Sequence, residues 1–173
     1  MAINLKLYNY RTSGSLKTNW PDNLNGYNLF IYKPKLFSLS KYGQGFLRNL
    51  LWYIFTMGKY RILFLTDANL IIHFTYLTPK MFRFPFMKRR DLQIGPCETI
   101  PEYQRKGIYS SVLKLVLEVC AKSERSIWIY TAPNNLASQK AIVKSGFKFY
   151  SEITMSGITK RMRVNKTTWK KTS

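Results

Sequence analysis

The second half of the sequence places a strand, a turn, a helix and another strand in direct succession, which constrains the fold most. Residues 92–100 predict a strand, in which Gly95-Pro96 marks a bulge or kink. Residues 107–121 carry apolar side chains at helical spacing along one stripe. Residues 126–131 are nearly all apolar, as in a central strand buried on both faces. This succession predicts a mixed α/β sheet with helices between its strands.

The rest of the chain carries weaker signals of the same kind. Residues 1–26 are polar and rich in turn formers, and no element is predicted there. Pro34 marks the strand that contains it as an edge strand. The remaining predicted elements are a strand at 27–37, a helix at 45–57, a hairpin of 60–65 and 70–77, a helix at 135–145 ended by Gly146, and strands at 148–153 and 158–164.

The turn at residues 99–109 is the first candidate binding site. It leads from a predicted strand to a helix N-terminus, where free backbone N–H groups and a positive partial charge suit phosphate. Gly107 allows a ligand close to the backbone, and Arg105 and Lys106 add positive charge. The segment therefore predicts either a pyrophosphate site or an ordinary β-to-α turn with a basic edge.

A second segment follows in a fixed order, separated from the first by one helix and one buried strand. Asn135-Leu136-Ala137-Ser138 is followed by Gly146-Phe147, which alone predicts a capped helix ended by glycine. Together the two segments resemble the GNAT superfamily, the GCN5-related N-acetyltransferases. That family's second signature is an Asn, a small residue three positions later and Gly-Phe eleven and twelve positions later.

The family's first signature, Arg/Gln-x-x-Gly-x-Gly/Ala, is matched by Gln104 and Gly107, whereas Tyr109 stands in place of the last small residue. The valine-x-proline that usually precedes it appears as Thr99-Ile100-Pro101. The clear resemblance covers residues 92–150. It implies one acetyltransferase domain over residues 1–173, with 1–26 poorly assigned and 165–173 a basic tail.

The resemblance implies a mostly antiparallel, twisted sheet whose fourth and fifth strands, here 92–100 and 126–131, splay apart to admit acetyl-CoA. The pantetheine arm would pair with backbone near Glu98, Thr99 and Ile100. The other implied cofactor-binding residues are Gln104, Arg105, Lys106, Gly107, Ile108 and Tyr109 around the pyrophosphate, and Asn135 and Ser138 on the second helix.

The implied reaction is direct transfer of an acetyl group to an amine, without a covalent enzyme intermediate. Positioning, oxyanion stabilisation and two proton transfers would then carry the catalysis. Glu98 is the candidate base through water, and Tyr130 is the candidate acid, although a solvent-facing Glu98 and a core-packed Tyr130 are the simpler interpretations. Ile142 stands where many family members have an acidic tyrosine.

Metal chemistry is not expected. The only cysteines are Cys97 and Cys120, the only histidine is His73, and they form no array of zinc ligands. We expect free thiols in a reducing compartment, and His73 is interpreted as a structural histidine. Cys97 is interpreted as strand packing, since no histidine neighbour is identifiable for a nucleophile.

The net charge of +20, from 28 Lys and Arg against 8 Asp and Glu, favours a polyanionic partner or surface. Ile94-Gly95-Pro96 and Gly107-Ile108-Tyr109 faintly resemble family members that acetylate nucleotide- or lipid-linked amino sugars in polysaccharide biosynthesis. The alternatives are a protein or peptide N-acetyltransferase and a non-catalytic CoA- or nucleic-acid-binding protein. Residues 160–171, which are basic and include Trp169, motivate the nucleic-acid alternative.

We expect a cytoplasmic protein, because the N-terminus lacks the apolar core of a signal peptide. The most apolar stretch, residues 50–57, is too short to span a bilayer. The basic and aromatic connection at residues 80–90 predicts either a contact with an anionic membrane surface or a surface loop with buried aromatics.

Overall fold

The structure is a computed structural model that describes residues 2–12, 21–35, 46–120 and 124–165. Within these ranges, short 3₁₀ turns occur at Asp22–Leu24 and Pro101–Tyr103. The other elements are strands β1 (Ala2–Arg11), β2 (Asn28–Tyr32), β3 (Arg61–Asp67), β4 (Leu70–Pro79), β5 (Leu92–Thr99), β6 (Ser126–Thr131), β7 (Lys148–Ser156) and β8 (Met162–Val164), and helices α1 (Phe46–Thr56), α2 (Ile108–Cys120) and α3 (Leu136–Lys144).

The described strands form one eight-stranded sheet in the order β2-β3-β4-β5-β6-β1-β7-β8. Neighbouring strands pair antiparallel, apart from β5 and β6, which pair in parallel. β2 lies at one edge, which confirms the edge position indicated by Pro34. The mixed, mostly antiparallel α/β sheet predicted from the sequence is therefore confirmed.

Helices α2 and α3 cover one face of the sheet, which we call the α2 face. Alternating residues of β6 point to the two faces of the sheet. Ile127 and Ile129 pack into the cluster formed with α2, and Trp128 packs on the opposite side. That opposite side, the α1 face, is covered by α1 and by the connection at residues 80–91. Both faces are apolar, as expected of a central sheet between two layers.

The N-terminal strand β1 is absent from the sequence prediction, yet it lies between β6 and β7 in the middle of the sheet. Its polar residues interrupt the apolar pattern by which a strand is predicted from sequence. Lys6 Nζ donates to Gln139 Oε1 at 3.0 Å, and Asn9 Nδ2 donates to the Ile127 carbonyl at 3.3 Å. These hydrogen bonds allow polar side chains in a central strand whose Leu5 and Leu7 are buried.

The other predicted elements are present, although the strand predicted at 27–37 ends at Tyr32 as β2. Positions 36, 37, 45 and 121 of the predicted elements lie outside the described residues. β8 is shorter than predicted, because residues 157–159 form a turn before it. The predicted bulge is present, since Thr75 pairs with Cys97 and Leu77 pairs with Ile94, which leaves two β5 residues opposite one β4 residue. The predicted tail lies outside the described residues beyond position 165, and Trp169 with it.

None of the helices within the described ranges combines the length and the hydropathy needed to cross a membrane.

Candidate functional site

The parallel strands β5 and β6 pair over three residues only and then part. The paired residues are Leu92 with Ile127, Gln93 with Trp128 and Ile94 with Ile129. Beyond Ile94 the bulge at Gly95-Pro96 turns β5 away, while its pairing with β4 continues to Thr99. The predicted splay between these two strands is therefore confirmed, and it opens a gap in the middle of the sheet.

This gap opens into a cavity of about 820 Å³, which residues of β5, β6, α2 and α3 line. The volume lies in the range of small-molecule binding sites, roughly 300–1,000 Å³. Ile100 and Lys106 are the two predicted site residues that do not line it. The predicted residues that do are Glu98, Thr99, Gln104, Arg105, Gly107, Ile108, Tyr109, Tyr130, Asn135 and Ser138.

The backbone of β5 presents hydrogen-bonding groups to the gap. The Ile100 N–H donates to the Ile72 carbonyl on β4, 3.0 Å away. Backbone groups of an extended chain point alternately to its two sides, so those of Cys97 and Thr99 point towards the gap. An extended ligand in the gap could therefore pair with β5 as an added strand.

The turn after β5 is held by its own side chains. Gln104 Nε2 donates to the Thr99 carbonyl at 3.0 Å, and the Tyr103 hydroxyl donates to Asp67 Oδ2 at 2.6 Å. Lys106 Nζ lies 4.4 Å from the centre of the Tyr103 ring. The Tyr103–Asp67 hydrogen bond ties the turn to the β3–β4 hairpin, and the other two contacts lie within the turn.

The same turn aims backbone N–H groups at the cavity. Arg105 and Gly107 both have positive φ, at 61° and 76°, a conformation that glycine adopts readily and arginine rarely. The first helical hydrogen bond of α2 runs from the Ser111 N–H to the Gly107 carbonyl. The N–H groups of Ile108, Tyr109 and Ser110 therefore precede the helical ladder and are available to an anion.

The start of α3 forms the other rim of the cavity. Asn135 is the N-cap, and its side chain accepts from the Ser138 N–H at 3.0 Å. The Ser138 hydroxyl donates to the Tyr109 hydroxyl at 3.4 Å. The three-residue spacing of Asn135 and Ser138 is therefore that of a helix cap. The same arrangement places the Ser138 hydroxyl beside the cavity, next to the Tyr109 hydroxyl. Gly146, with φ of 99°, follows the helix end as predicted.

Tyr109 is a site residue whose surroundings the sequence did not indicate. Its ring centre lies 6.2 Å from that of His73, and burial, with Cys97 nearby, raises the pKa of its hydroxyl. The sequence showed only that a large residue replaces a small one. In the fold that side chain lies at the first turn of α2, between the sheet and α3.

His73 and Cys97 lie on the α2 face, beneath the start of α2. His73 Nδ1 lies 2.7 Å from Thr99 Oγ1, and Nε2 lies 2.8 Å from Thr75 Oγ1. Burial lowers the pKa of His73 to about 4, so the ring is neutral at pH 7. Burial also raises the pKa of Cys97 to about 12, against a smaller opposing effect of its hydrogen bond with Thr75. At neutral pH neither a charged imidazole nor a thiolate is available here.

Glu98 and Tyr130 lie on the opposite, α1 face. Glu98 is exposed and pairs with Phe74 of β4. Tyr130 is the first residue of β6 beyond its pairing with β5, and its ring centre lies 6.5 Å from that of Phe84. Burial raises the pKa of Tyr130, an effect that the neighbouring Arg83 partly opposes. The gap thus has a carboxylate and a phenol on one face and a second phenol, Tyr109, on the other.

Ile142 is fully buried in the cluster around α2, and its side chain carries no ionisable group. Across the described ranges, His, Cys, Asp and Glu residues form no group of three or more that could hold a metal ion.

Comparison with known proteins agrees with this geometry. Residues 72–147 match the model of the acetyltransferase (GNAT) family. The fold is similar to a GCN5-related N-acetyltransferase from Sphaerobacter thermophilus, with a TM-score of 0.61 and 12% identity over 86% of this chain and 49% of that one. A GNAT-family acetyltransferase from Colwellia psychrerythraea gives a TM-score of 0.58 and 15% identity over 88% of this chain and 55% of that one.

A tandem GNAT protein from the clavulanic acid biosynthesis pathway gives a TM-score of 0.57 and 13% identity, over 86% of this chain and 50% of that one. The chain therefore spans about half the length of these three solved structures. No curated protein matches the sequence. The chain has the GNAT fold, and residues 72–147 carry the GNAT acetyltransferase match within it.

Proposed function

We propose that this chain is an acetyl-CoA-dependent N-acetyltransferase that transfers an acetyl group directly to a primary amine, as a single domain over residues 1–173. The observation that carries the proposal is the parting of β5 and β6 after Ile94, directly beside the N-terminus of α2. CoA has a narrow arm ending in a thiol and a pyrophosphate further along. A gap with free backbone groups, followed by a helix N-terminus, matches these two parts in order.

The proposed binding residues follow from that order. The arm would pair with the backbone of Thr99 and also of Cys97, because the N–H of Ile100 already donates to β4. The pyrophosphate would accept from the N–H groups between Gln104 and Tyr109. Charge from Arg105 and Lys106 would favour it, and Asn135 and Ser138 would border it from α3.

The bound thioester supplies an electrophilic carbonyl to the attacking amine. Glu98, exposed at the gap, would take the proton of the amine through a water molecule. Tyr130 would give a proton to the departing thiolate, since its raised pKa keeps the hydroxyl protonated at neutral pH. Its place directly beyond the last β5–β6 pair favours this role. Tyr109 is the other phenol at the gap, and its backbone place in the pyrophosphate turn favours a binding role instead.

The proposed acceptor is an amino sugar that carries phosphate through a nucleotide or a lipid, which fits polysaccharide biosynthesis. Support comes from the net charge of +20 and from Arg83, whose side chain lies beside Tyr130 on the α1 face. A screen of acetyl-CoA consumption over nucleotide-linked amino sugars, peptides and polyamines tests it. Turnover of peptides alone would identify peptides, instead of amino sugars, as the acceptor class. Binding of acetyl-CoA without turnover of any amine would indicate a non-catalytic CoA-binding protein.

A cytoplasmic location with contact to an anionic membrane surface also belongs to the proposal. The connection at residues 80–90 supplies charge, but most of its large apolar side chains face inwards. Met81, Phe84 and Met87 are buried against the α1 face, and Phe82 is exposed. The interpretation as a loop with buried aromatics therefore describes most of this connection.

Titration calorimetry with acetyl-CoA tests the binding site directly. Gly107→Glu should abolish measurable binding, because a negative side chain would enter the space proposed for pyrophosphate. Gly107→Ala is the matched control, since it carries the same backbone strain at positive φ without the charge or the length. It should retain a weakened affinity. Unchanged affinity in Gly107→Glu would refute the proposed pyrophosphate site.

A further inference from the structure

Helix α1 is attached to the protein through a face that carries polar residues. Asn49 and Thr56 are buried, and the Tyr76 hydroxyl donates to Asn49 Oδ1 at 3.2 Å. Trp52 packs between them, with ring centres 6.2 Å from Tyr60 and 5.4 Å from Tyr76. The sheet-facing side of α1 is thus held by hydrogen bonds and ring contacts as well as by apolar burial.

The solvent-facing side of α1 carries large apolar residues. Their exposed fractions lie between 44% and 67%. Phe82, in the neighbouring connection, is 51% exposed, and its ring centre lies 5.1 Å from that of Phe55. Together these residues form a continuous surface that we call the apolar stripe: Phe46, Leu47, Leu51, Ile54, Phe55 and Phe82. The helix therefore turns an apolar side to solvent, the reverse of an ordinary surface helix.

Exposed positive charge accompanies the apolar stripe. Between residues 46 and 90 the sequence contains a single acidic residue, Asp67, and this carboxylate accepts a hydrogen bond from the Tyr103 hydroxyl. The exposed basic residues beside α1 and along the connection that carries Phe82 are Lys59, Lys80, Lys88, Arg89 and Arg90. An apolar helix side combined with basic residues is the pattern of helices that lie in a membrane interface.

We propose that the apolar stripe is a docking surface for a lipid bilayer that contains anionic lipids. Phe, Leu and Ile side chains would enter the boundary between headgroups and acyl chains, and the basic residues would contact the anionic headgroups. The six side chains that define the stripe form no hydrogen bonds, whereas protein partners commonly use several directional ones. A second copy is disfavoured, because face-to-face packing would bring two basic surfaces together.

The apolar stripe lies on the α1 face of the sheet, the face that also carries the proposed catalytic residues Glu98 and Tyr130. α1 covers β3 and β4 on the α1 face, through Tyr60 and Tyr76. Glu98 pairs with Phe74 on β4, and the Phe74 ring lies 5.9 Å from that of Tyr76. A bilayer at α1 would thus present a lipid-linked amine to the face that carries the carboxylate. The docking inference deepens the membrane contact of the proposed function by naming its surface, and vesicle binding by that surface does not depend on the proposed reaction.

Flotation with lipid vesicles, performed without acetyl-CoA, tests the surface independently of catalysis. The protein should float with phosphatidylcholine vesicles containing about 30% phosphatidylglycerol and much less with phosphatidylcholine alone. Leu51→Glu should lower the partition coefficient on the anionic vesicles about tenfold or more, because a charge would enter the apolar stripe. Phe82→Ser, in a different element, should also lower it and provides a second variant should Leu51→Glu fail to fold.

Val143→Glu is the matched control. Val143 is 56% exposed on α3, on the other face of the sheet, and the substitution makes the same change in charge. It should bind the anionic vesicles as the unmodified protein does. An absence of flotation, or equal loss in Val143→Glu and Leu51→Glu, would overturn the proposal. Sedimentation equilibrium showing a dimer that Leu51→Glu dissociates, without vesicle binding, would assign the apolar stripe to a second copy instead.

Discussion

Acidification should destabilise this protein through its single histidine. His73 is buried beneath the start of α2, and its two ring nitrogens lie within hydrogen-bonding distance of Thr99 and Thr75. The folded state lowers its pKa from 6.5 to about 4. Between these values the unfolded chain binds a proton at this position and the folded chain does not. Folding free energy is therefore lost as the pH falls from about 6.5 towards about 4.

The size of the effect follows from the two pKa values. At pH 4.5 the unfolded imidazole is almost fully protonated and the folded one is mostly neutral. Proton linkage then gives a loss of about 2.5 kcal/mol in the free energy of unfolding relative to pH 7.5. Against a typical total of about 5–15 kcal/mol, such a loss shifts the denaturation midpoint clearly.

Urea denaturation at pH 7.5 and pH 4.5, for the unmodified protein and for His73→Asn, measures this term. The variant lacks the imidazole, so its stability should fall by about 2.5 kcal/mol less over the same pH interval, whatever its absolute stability. Carboxylates titrate equally in both proteins and cancel in the difference. An identical pH dependence in the two proteins, or an NMR titration of His73 with a pKa near 6.5, would refute the buried, neutral ring.

Three further outcomes are expected. Glu98→Gln should lower kcat for amine acetylation about 100-fold while the dissociation constant for acetyl-CoA changes little; equal turnover would remove this carboxylate from the mechanism. Tyr130→Phe should lower kcat, whereas Tyr109→Phe should change kcat and the KM for acetyl-CoA little, because phenylalanine keeps the backbone N–H of the pyrophosphate turn; the reverse pattern in kcat would transfer the proton-donor role to Tyr109. Asp91→Ala should lower the free energy of unfolding, measured by urea denaturation, by about 3 kcal/mol. The substitution leaves the Trp128 indole N–H and two backbone N–H groups without their buried acceptor. A smaller loss of stability in Asp91→Ala than in Asp91→Asn would contradict this role.

The sequence predicted the parts of the fold in which local chemistry and tertiary environment agree. The helical stripe in α2 and the apolar run of β6 appear at their predicted positions, because both elements are buried by their neighbours in the order that the chain gives. Gly95-Pro96 also indicated the bulge. The central strand β1 was missed, since its position depends on hydrogen bonds of Lys6 and Asn9 with residues more than 100 positions away.

The candidate site divides in the same way. The turn at residues 99–109 was predicted from local helix-start signals, and Asn135 and Ser138 were named from the family resemblance. The cap that these two residues form is local. The environment of Tyr109 was not predicted, since its neighbours come from β4 and α3. The apolar stripe on α1 was also hidden, because helical periodicity shows that two sides differ but not which of them faces the sheet.

A crystal structure of the protein with bound CoA tests the central claim most directly. The account predicts the pantetheine arm between β5 and β6 beside Cys97 and Thr99, and the pyrophosphate on the N–H groups at the start of α2. CoA bound elsewhere, or β5 and β6 paired beyond Ile94 with the gap closed, would contradict it.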